Sequence, residues 1–240
     1  MRRAVRPGSD ASGGVAAGMA SADRAATMAA VISLLAAAAL AAAPPAAAPP
    51  AGEATRRPDL LDVARLVPDA VLDLRYAGAD NFLGRAVYPE ARCLLLRPAA
   101  ERLARAAARL RRQGYRLLLW DCSRPLSVQR EMWRLQPRPG YVSDPRRGSH
   151  HNRGAAVDLS LAAADGRPVE MPTPFDTFDR RAHADAVEGI SEAARRHRRL
   201  LREALEAEGF LVNPREWWHF AARDAWSHPL LDVPLSEAGR

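Results

Sequence analysis

Two polar motifs, far apart along the chain, constrain its fold more than any other feature. The first spans residues 149–158 (SHHNRGAAVD) and the second spans residues 216–219 (EWWH). Together they offer imidazole and carboxylate donors for a divalent metal, and a further carboxylate that can move a proton. Three N/O ligands and one open position describe a catalytic zinc site. The sequence therefore predicts a fold in which His151, Asp158 and His219 meet around one Zn²⁺.

The local pattern places these side chains on different elements. Gly154 and the apolar run after it predict that His151 lies on a loop and Asp158 on the next strand. Residues three apart on a regular strand face opposite sides of the sheet. Glu216 can therefore face the same site as His219 only at an irregular strand entry or a bulge.

Several alternatives stay open from these residues alone. His151 and Asp158 can stabilise a loop and a turn without any metal. His150 can be the ligand instead of its neighbour, and Glu216 can be a surface charge beside two core tryptophans. Arg124 follows a buried strand and suits stabilisation of an oxyanion, but it can equally pair with Asp121 to hold the loop.

Taken jointly, the motifs resemble those of the D-alanyl-D-alanine dipeptidases, which include vancomycin-resistance enzymes and lie within a larger group of zinc D,D-peptidases. The resemblance extends over roughly residues 60–235. Its matching segments are residues 73–77, 81–84, 118–121, 124–125, 149–158, 174–176 and 216–219. The chain departs from the family at Cys122-Ser123, where Gly-Tyr is frequent, so the pocket wall and the fine specificity are open.

The resemblance implies a role for each matched position. His151, Asp158 and His219 would bind one Zn²⁺ per chain. Glu216 would be the general base and then the acid that protonates the leaving amine, and Arg124 would stabilise the tetrahedral intermediate.

The resemblance also implies how a substrate is held. Asp176 and Tyr76 would recognise its free ammonium group, and Ser149 would help to hold its C-terminal carboxylate. The implied reaction is hydrolysis of D-alanyl-D-alanine to two D-alanines, in cell-wall turnover or glycopeptide resistance. The alternatives are a D,D-carboxypeptidase or endopeptidase that acts on peptidoglycan stem peptides, and a non-catalytic zinc-containing binding module.

The resemblance implies a small dipeptide as the partner, and charge and composition give no reason to expect nucleic acid. All 35 basic residues are arginine, and the formal net charge is +7. No block of basic residues interleaved with aromatics indicates nucleic-acid binding, and the basic run at 195–199 reads as a solvated helix face. Beyond an N-terminal anchor, we expect no stable membrane partner. The oligomeric state is left open.

The N-terminal residues predict export. Residues 1–43 combine arginines, an apolar run at 25–43 and small residues, as in a signal peptide. A membrane anchor, a cytoplasmic tail or a misassigned start codon are the alternatives. Residues 44–58 read as a disordered Pro/Ala linker and residues 59–240 as the catalytic domain, which we expect to be periplasmic or secreted.

The folded part predicts one α+β domain, with a mostly antiparallel central sheet flanked by helices. Cys93 and Cys122 can form a disulfide, or Cys122 can be a buried thiol. Strands are predicted at 71–76, 115–121, 155–161, 168–171, 210–212 and 217–221, and helices at 98–113, 127–135 and 190–209.

Overall fold

The computed structural model describes residues 58–237. The predicted export segment 1–43 and all but the last residue of the predicted linker 44–58 lie outside the described residues, so both stay predictions. Within the described part, no helix is both long enough and apolar enough to span a bilayer.

Seven strands and four α-helices make up the described fold. In chain order they are β1 (Leu60–Asp62), α1 (Val63–Leu66), β2 (Val71–Leu72), β3 (Leu94–Leu96), α2 (Arg97–Arg111), β4 (Tyr115–Asp121), α3 (Leu126–Leu135), β5 (Ala156–Ala163), α4 (Glu192–Glu206), β6 (Phe210–Asn213) and β7 (Glu216–Ala222). Short 3₁₀ turns connect several of them.

Five of these strands form the main sheet, in the order β2-β4-β5-β7-β6. Only β2 and β4 run parallel, and every other neighbouring pair in this sheet is antiparallel. β1 and β3 form a separate antiparallel pair. The arrangement confirms the predicted α+β class with a mostly antiparallel central sheet.

The two long helices follow from their terminal residues and apolar faces. A proline in the first turn starts α2, and the helix buries Leu103 and Leu110. The Ser191 side chain caps α4 by accepting a hydrogen bond from the Ala194 N–H at 3.0 Å. α4 ends three residues before Gly209, which adopts φ 87°. These helices pack against each other and beside the sheet.

Burial is complete along the central strands. Every residue of β7 is buried, as is every residue of β5 except the last. The two tryptophans of β7 pack edge to face against each other, with ring centroids 5.5 Å apart. Both faces of the sheet are therefore covered at its centre, and the polar side chains there are largely buried.

Three sequence predictions need correction. The strand predicted at 71–76 pairs only at Val71–Leu72, because the chain then turns into a 3₁₀ helix at Arg75–Ala77. The return strand at 168–171 is reduced to one bridge between Ala162 and Pro168, since proline lacks the N–H that a ladder needs. The basic run at 195–199 is not wholly solvated: His197 and Arg198 are buried, and Arg198 donates to two backbone carbonyls.

The two cysteines form a disulfide bond, Cys93–Cys122. Both residues are fully buried. The bond joins the residue before β3 to the residue after β4, and so decides between the two alternatives that the sequence left open.

Candidate metal centre and active site

Three donor side chains converge at the middle of the sheet. His151 opens a 3₁₀ turn, and Gly154 then adopts a left-handed conformation (φ 64°) that leads the chain into β5. Asp158 on β5 is the direct cross-strand partner of His219 on β7, so both side chains face the same side. The ligand atoms of the three residues all lie within 4.8 Å of one another.

The distances between the donor atoms fit a metal ion. Asp158 Oδ1 lies 2.9 Å from Nδ1 of His219 and 3.3 Å from Nε2 of His151, and the two ring nitrogens are 3.0 Å apart. Ligand bonds of about 2.0–2.2 Å at tetrahedral angles separate donor atoms by about 3.3–3.5 Å. A small outward shift of the triad therefore accommodates a divalent ion, and two imidazoles with one carboxylate match its donor chemistry.

The ionisation of Asp158 and the hydrogen bond of His151 also suit a cation. Burial acts to raise the pKa of Asp158, but His151 and His219 hold that pKa below its ordinary value, so the carboxylate is ionised. The Nδ1–H of His151 donates to the carbonyl oxygen of Cys122 at 2.7 Å, which leaves Nε2 free to act as a ligand.

His150 is not part of this group. Among the described residues, the set that could hold a metal contains His151 and not His150. The ring of His150 instead packs at 4.4 Å against Trp226, which is half exposed at the rim of the cavity. Burial, followed by the nearby His219, lowers the pKa of His150 to about 4, so this ring is neutral.

Glu216 lies at the irregular strand entry that its role requires. The pairing register between β6 and β7 shifts at Val212/Asn213, and Glu216 is the first residue of β7. Its Oε2 accepts a hydrogen bond from Nδ2 of Asn213 at 2.7 Å. Burial raises the pKa of Glu216 to about 7. This carboxyl group can therefore both accept and release a proton near neutral pH.

Arg124 pairs with Asp121, which is one of the alternatives that the sequence left open, and it also reaches the cavity. Its guanidinium bonds Asp121 at 2.5 Å and Gln129 at 2.8 Å, so it does hold the loop. It also lines the same cavity as Glu216 and the triad. These contacts, together with a second bond from Nε to Asp121, use three of its five N–H groups, and two remain for a substrate oxygen.

Asp176 and Tyr76 form a second polar group in the cavity. The Tyr76 hydroxyl donates to Oδ1 of Asp176 at 3.2 Å, and the backbone N–H of Phe82 donates to Oδ2 at 3.1 Å. Burial raises the pKa of Asp176 to about 7. Asp176 is also the only described non-glycine residue with positive φ, at 57°. Such local strain is frequent at binding sites.

Ser149 lies at the edge of the triad and is buried. Both its backbone N–H and its hydroxyl donate to Oδ1 of Asn152, at 2.8 and 2.9 Å. The hydroxyl oxygen also accepts a hydrogen bond from the Asn152 N–H at 3.3 Å, and Ser149 lines the cavity.

One cavity of about 680 Å³ joins all the predicted site residues. Its lining includes Tyr76, Arg124, Ser149, His151, Asp158, Asp176, Glu216 and His219. A metal triad, a buried carboxyl group that titrates near neutral pH and a buried guanidinium are thus exposed to one common space. This arrangement can activate water, accept its proton and stabilise negative charge on a carbonyl oxygen.

Sequence reasoning named Asp121 only as an alternative partner of Arg124, but its carboxylate organises this wall of the site. Its fully buried carboxylate accepts from Arg124, from the Tyr88 hydroxyl at 2.6 Å and from the Cys122 N–H at 2.9 Å. One feature of the sequence indicates this role, because Asp121 directly follows an apolar run that predicts a buried strand. A buried acidic residue rarely lacks several hydrogen-bond partners.

A metal triad beside a carboxyl group and a guanidinium in one cavity is typical of a metal-dependent peptidase. A family model described as D-ala-D-ala dipeptidase, from the M15 peptidases, matches residues 56–236. The chain belongs to this family.

Relatives named as D-alanyl-D-alanine dipeptidases match the chain along most of their length. The chain is 39% identical over 173 residues to a D-alanyl-D-alanine dipeptidase of Escherichia coli K12, covering 72% of this chain and 89% of the relative. It is 36% identical over 188 residues to one from Enterococcus faecium, covering 68% and 91%. It is 33% identical over 204 residues to one from Streptomyces coelicolor, covering 74% and 98%.

Proposed function

We propose that this metallopeptidase hydrolyses D-alanyl-D-alanine to two D-alanines and uses one Zn²⁺ per chain. The observation that carries the proposal is the buried carboxyl group of Asp176 in the same cavity as the metal triad. A free dipeptide brings an ammonium group close to its scissile bond, and a buried carboxylate is the natural partner of that group. The names of the relatives support the same substrate.

The choice of zinc rests on the donor set. Two imidazoles and one carboxylate with an open fourth position are typical of catalytic zinc, whereas Mg²⁺ and Ca²⁺ favour sites built from oxygen alone. When bound, the ion would lower the pKa of a water molecule and polarise the scissile carbonyl.

The chain's own residues supply the proton transfers and the charge stabilisation. Glu216 accepts the proton of the attacking water and then delivers it to the leaving amine. Its pKa of about 7 suits both steps. The two remaining N–H groups of Arg124 donate to the oxygen that becomes negatively charged as water adds to the carbonyl.

Two groups in the cavity lining orient the substrate, one at each end of the dipeptide. Ionised Asp176 binds the substrate ammonium, and the Tyr76 hydroxyl steadies that carboxylate. Burial and Asp176 raise the pKa of Tyr76 well above its usual value, so the hydroxyl stays protonated and can donate. Ser149 would contact the C-terminal carboxylate by turning its hydroxyl from Asn152 to donate to the substrate.

Comparing two substrates tests the dipeptide assignment. We expect the purified full chain, loaded with zinc, to release D-alanine from D-alanyl-D-alanine far faster than from a stem pentapeptide ending in D-Ala-D-Ala. The pentapeptide has an amide instead of a free amine beside its scissile bond, so nothing there pairs with Asp176, and N-acetyl-D-alanyl-D-alanine is the matched control. Equal or faster turnover of the pentapeptide would show a D,D-carboxypeptidase instead.

We further propose that the enzyme is exported and recovers D-alanine from cell-wall turnover. The predicted signal segment and the Cys93–Cys122 disulfide support this, because structural disulfides persist mainly in oxidising compartments. The mass of the mature chain, recovered from cell fractions, tests it. An extracytoplasmic chain that lacks the predicted segment is expected, and a full-length cytoplasmic chain would contradict export.

A further inference from the structure

The chain segment that leaves β4 contacts the metal centre through its backbone. β4 ends at Asp121, and Cys122 is the first residue beyond it. The carbonyl oxygen of Cys122 accepts the Nδ1–H of His151 at 2.7 Å. Two residues later, the Arg124 N–H donates to the His151 carbonyl at 3.0 Å. The position of this segment therefore sets the position of one metal ligand.

The Cys122 carbonyl fixes how the His151 ring faces the metal. Because Nδ1 carries the donated proton, Nε2 keeps its lone pair and points to Asp158 and His219, at 3.3 and 3.0 Å. The nearest carboxylate oxygen, Oδ2 of Asp121, lies 3.6 Å from the same Nδ1, which is beyond hydrogen-bond distance. Among the described groups, one carbonyl thus orients this ligand.

That carbonyl lies outside the strand ladder and is held by other bonds. The disulfide ties Cys122 to Cys93, the residue before β3. Next to it, the Ser123 N–H donates to the Leu94 carbonyl at 2.9 Å. Cys93 is anchored in turn, because its carbonyl accepts the Val63 N–H at 2.9 Å. The disulfide is the covalent part of the support behind the ligand.

We propose that the Cys93–Cys122 disulfide positions the metal ligand His151, so that breaking it weakens metal binding at the triad. Cys122 is a positioning residue, since it acts through His151. Partners that orient a ligating imidazole typically contribute about 10–100-fold to metal affinity. The proposal rests on metal binding at the triad and holds whichever peptide is cleaved.

Zinc affinity of a double variant tests the proposal. We expect Cys93→Ala/Cys122→Ala to bind Zn²⁺ about 10–100-fold more weakly than the wild type, measured by chelator competition at a temperature at which circular dichroism shows both folded. Leu103→Ala is the matched control for lost stability, because Leu103 is fully buried on α2 and its apolar side chain makes no polar contact with the site. Its affinity should stay within about twofold of wild type.

Two outcomes of that experiment would overturn the proposal. One is an unchanged zinc affinity in the folded double variant. The other is an equal loss in the Leu103→Ala control, since the effect would then reflect general stability. Absence of zinc binding by the wild type would instead contradict the proposed metal centre itself.

A second measurement uses the wild-type chain and does not depend on the variant folding. In a glutathione buffer, two glutathiones are oxidised to glutathione disulfide while the Cys93–Cys122 bond takes up two electrons and two protons to give two thiols. Coupling between two equilibria is reciprocal. Saturating Zn²⁺ should therefore shift this equilibrium toward the protein disulfide by about 10–100-fold, the same factor as the change in zinc affinity. A chelator holds the free Zn²⁺ concentration constant. An equilibrium that zinc leaves unchanged would refute the coupling.

Discussion

Two of the three candidate metal ligands and the Asp176–Tyr76 pair line one cavity, but the chain supports them in different ways. Asp158 and His219 lie on the paired central strands β5 and β7. Asp176 and Tyr76 lie outside the strands, on a loop and on a 3₁₀ turn. The first pair is held by the backbone ladder of the sheet, and the second by side-chain hydrogen bonds and aromatic contacts such as Tyr76–Phe175.

This difference leads us to expect that residues on the sheet control the reaction rate and residues on the loops control substrate preference. Strands paired on both sides hold donor atoms within the narrow tolerance that a metal requires. Loops can change length and sequence without disturbing that sheet, so they are the place where substrate preference is set. We therefore expect substitutions near the triad to lower kcat, and substitutions at the loop-borne carboxylate to raise KM.

The largest expected effect comes from Glu216, beside the triad. We predict that Glu216→Gln lowers kcat by about 10²–10⁴-fold, because the general base is lost while the shape of the side chain is kept. Zinc content, measured by mass spectrometry, should stay at one equivalent. Glu192→Gln, on the exposed first turn of α4, is the control and should behave as wild type. Undiminished kcat in Glu216→Gln would remove this residue from the mechanism.

Substitution of Arg124 should give the next largest loss of activity. This residue follows closely after β4, a strand of the main sheet. We predict that Arg124→Lys lowers kcat by about 10²-fold, since it keeps the charge but loses the forked donor geometry. Arg124→Ala should in addition lower stability by about 3–5 kcal/mol, because it leaves Asp121 buried without its partner. Denaturant unfolding checks the stability. A change confined to KM would assign Arg124 to substrate binding instead.

A loop substitution should act mainly on KM. We predict that Asp176→Asn raises KM for D-alanyl-D-alanine by about 10–100-fold, the range expected for one charge-assisted hydrogen bond. Its kcat should fall much less than that of Glu216→Gln, because the proton-transfer group is untouched. Steady-state kinetics on the zinc-loaded variant separate the two constants. A large kcat loss at unchanged KM would contradict the proposal that loop residues act mainly on KM and sheet residues mainly on kcat.

The pH dependence of kcat/KM gives the smallest expected effect, and it tests the separate contributions of Glu216 and Asp176. Burial raises the pKa values of both Glu216 and Asp176 to about 7. Both must be ionised to work, so log kcat/KM should rise with pH and approach a slope of about 2 below neutrality. It should fall above about pH 8, where the substrate amine loses its proton. In Asp176→Asn the acidic slope should drop to about 1; a slope that stays near 2 would exclude Asp176, provided that zinc content is constant.

The sequence predicted the elements whose signals are local. Residues 115–121 form β4 as expected, and α2 departs from its predicted range by only one or two residues at each end. The alternation at 71–76 was misleading, because tertiary contacts decide there: the Tyr76 side chain turns into the cavity and bonds Asp176. Periodicity alone does not contain such a contact from a residue a hundred positions away.

The site was predictable as a set of residues but not as a geometry. Motif resemblance named all three donors, and the structure brings them together. The choice between His150 and His151, and the pairing of Cys93 with Cys122, depend on which atoms meet in space. The Tyr88 contact of Asp121 was equally hidden, because the two residues lie on separate segments of the chain.

X-ray absorption at the zinc edge, combined with metal analysis of the wild-type chain, tests the central claim most directly. We predict one zinc per chain with nitrogen and oxygen neighbours only, at about 2.0–2.2 Å, two of them imidazoles. Loss of that signal in His219→Ala would assign it to the triad. Sulfur neighbours near about 2.3 Å, or a full zinc equivalent retained by His219→Ala, would contradict it.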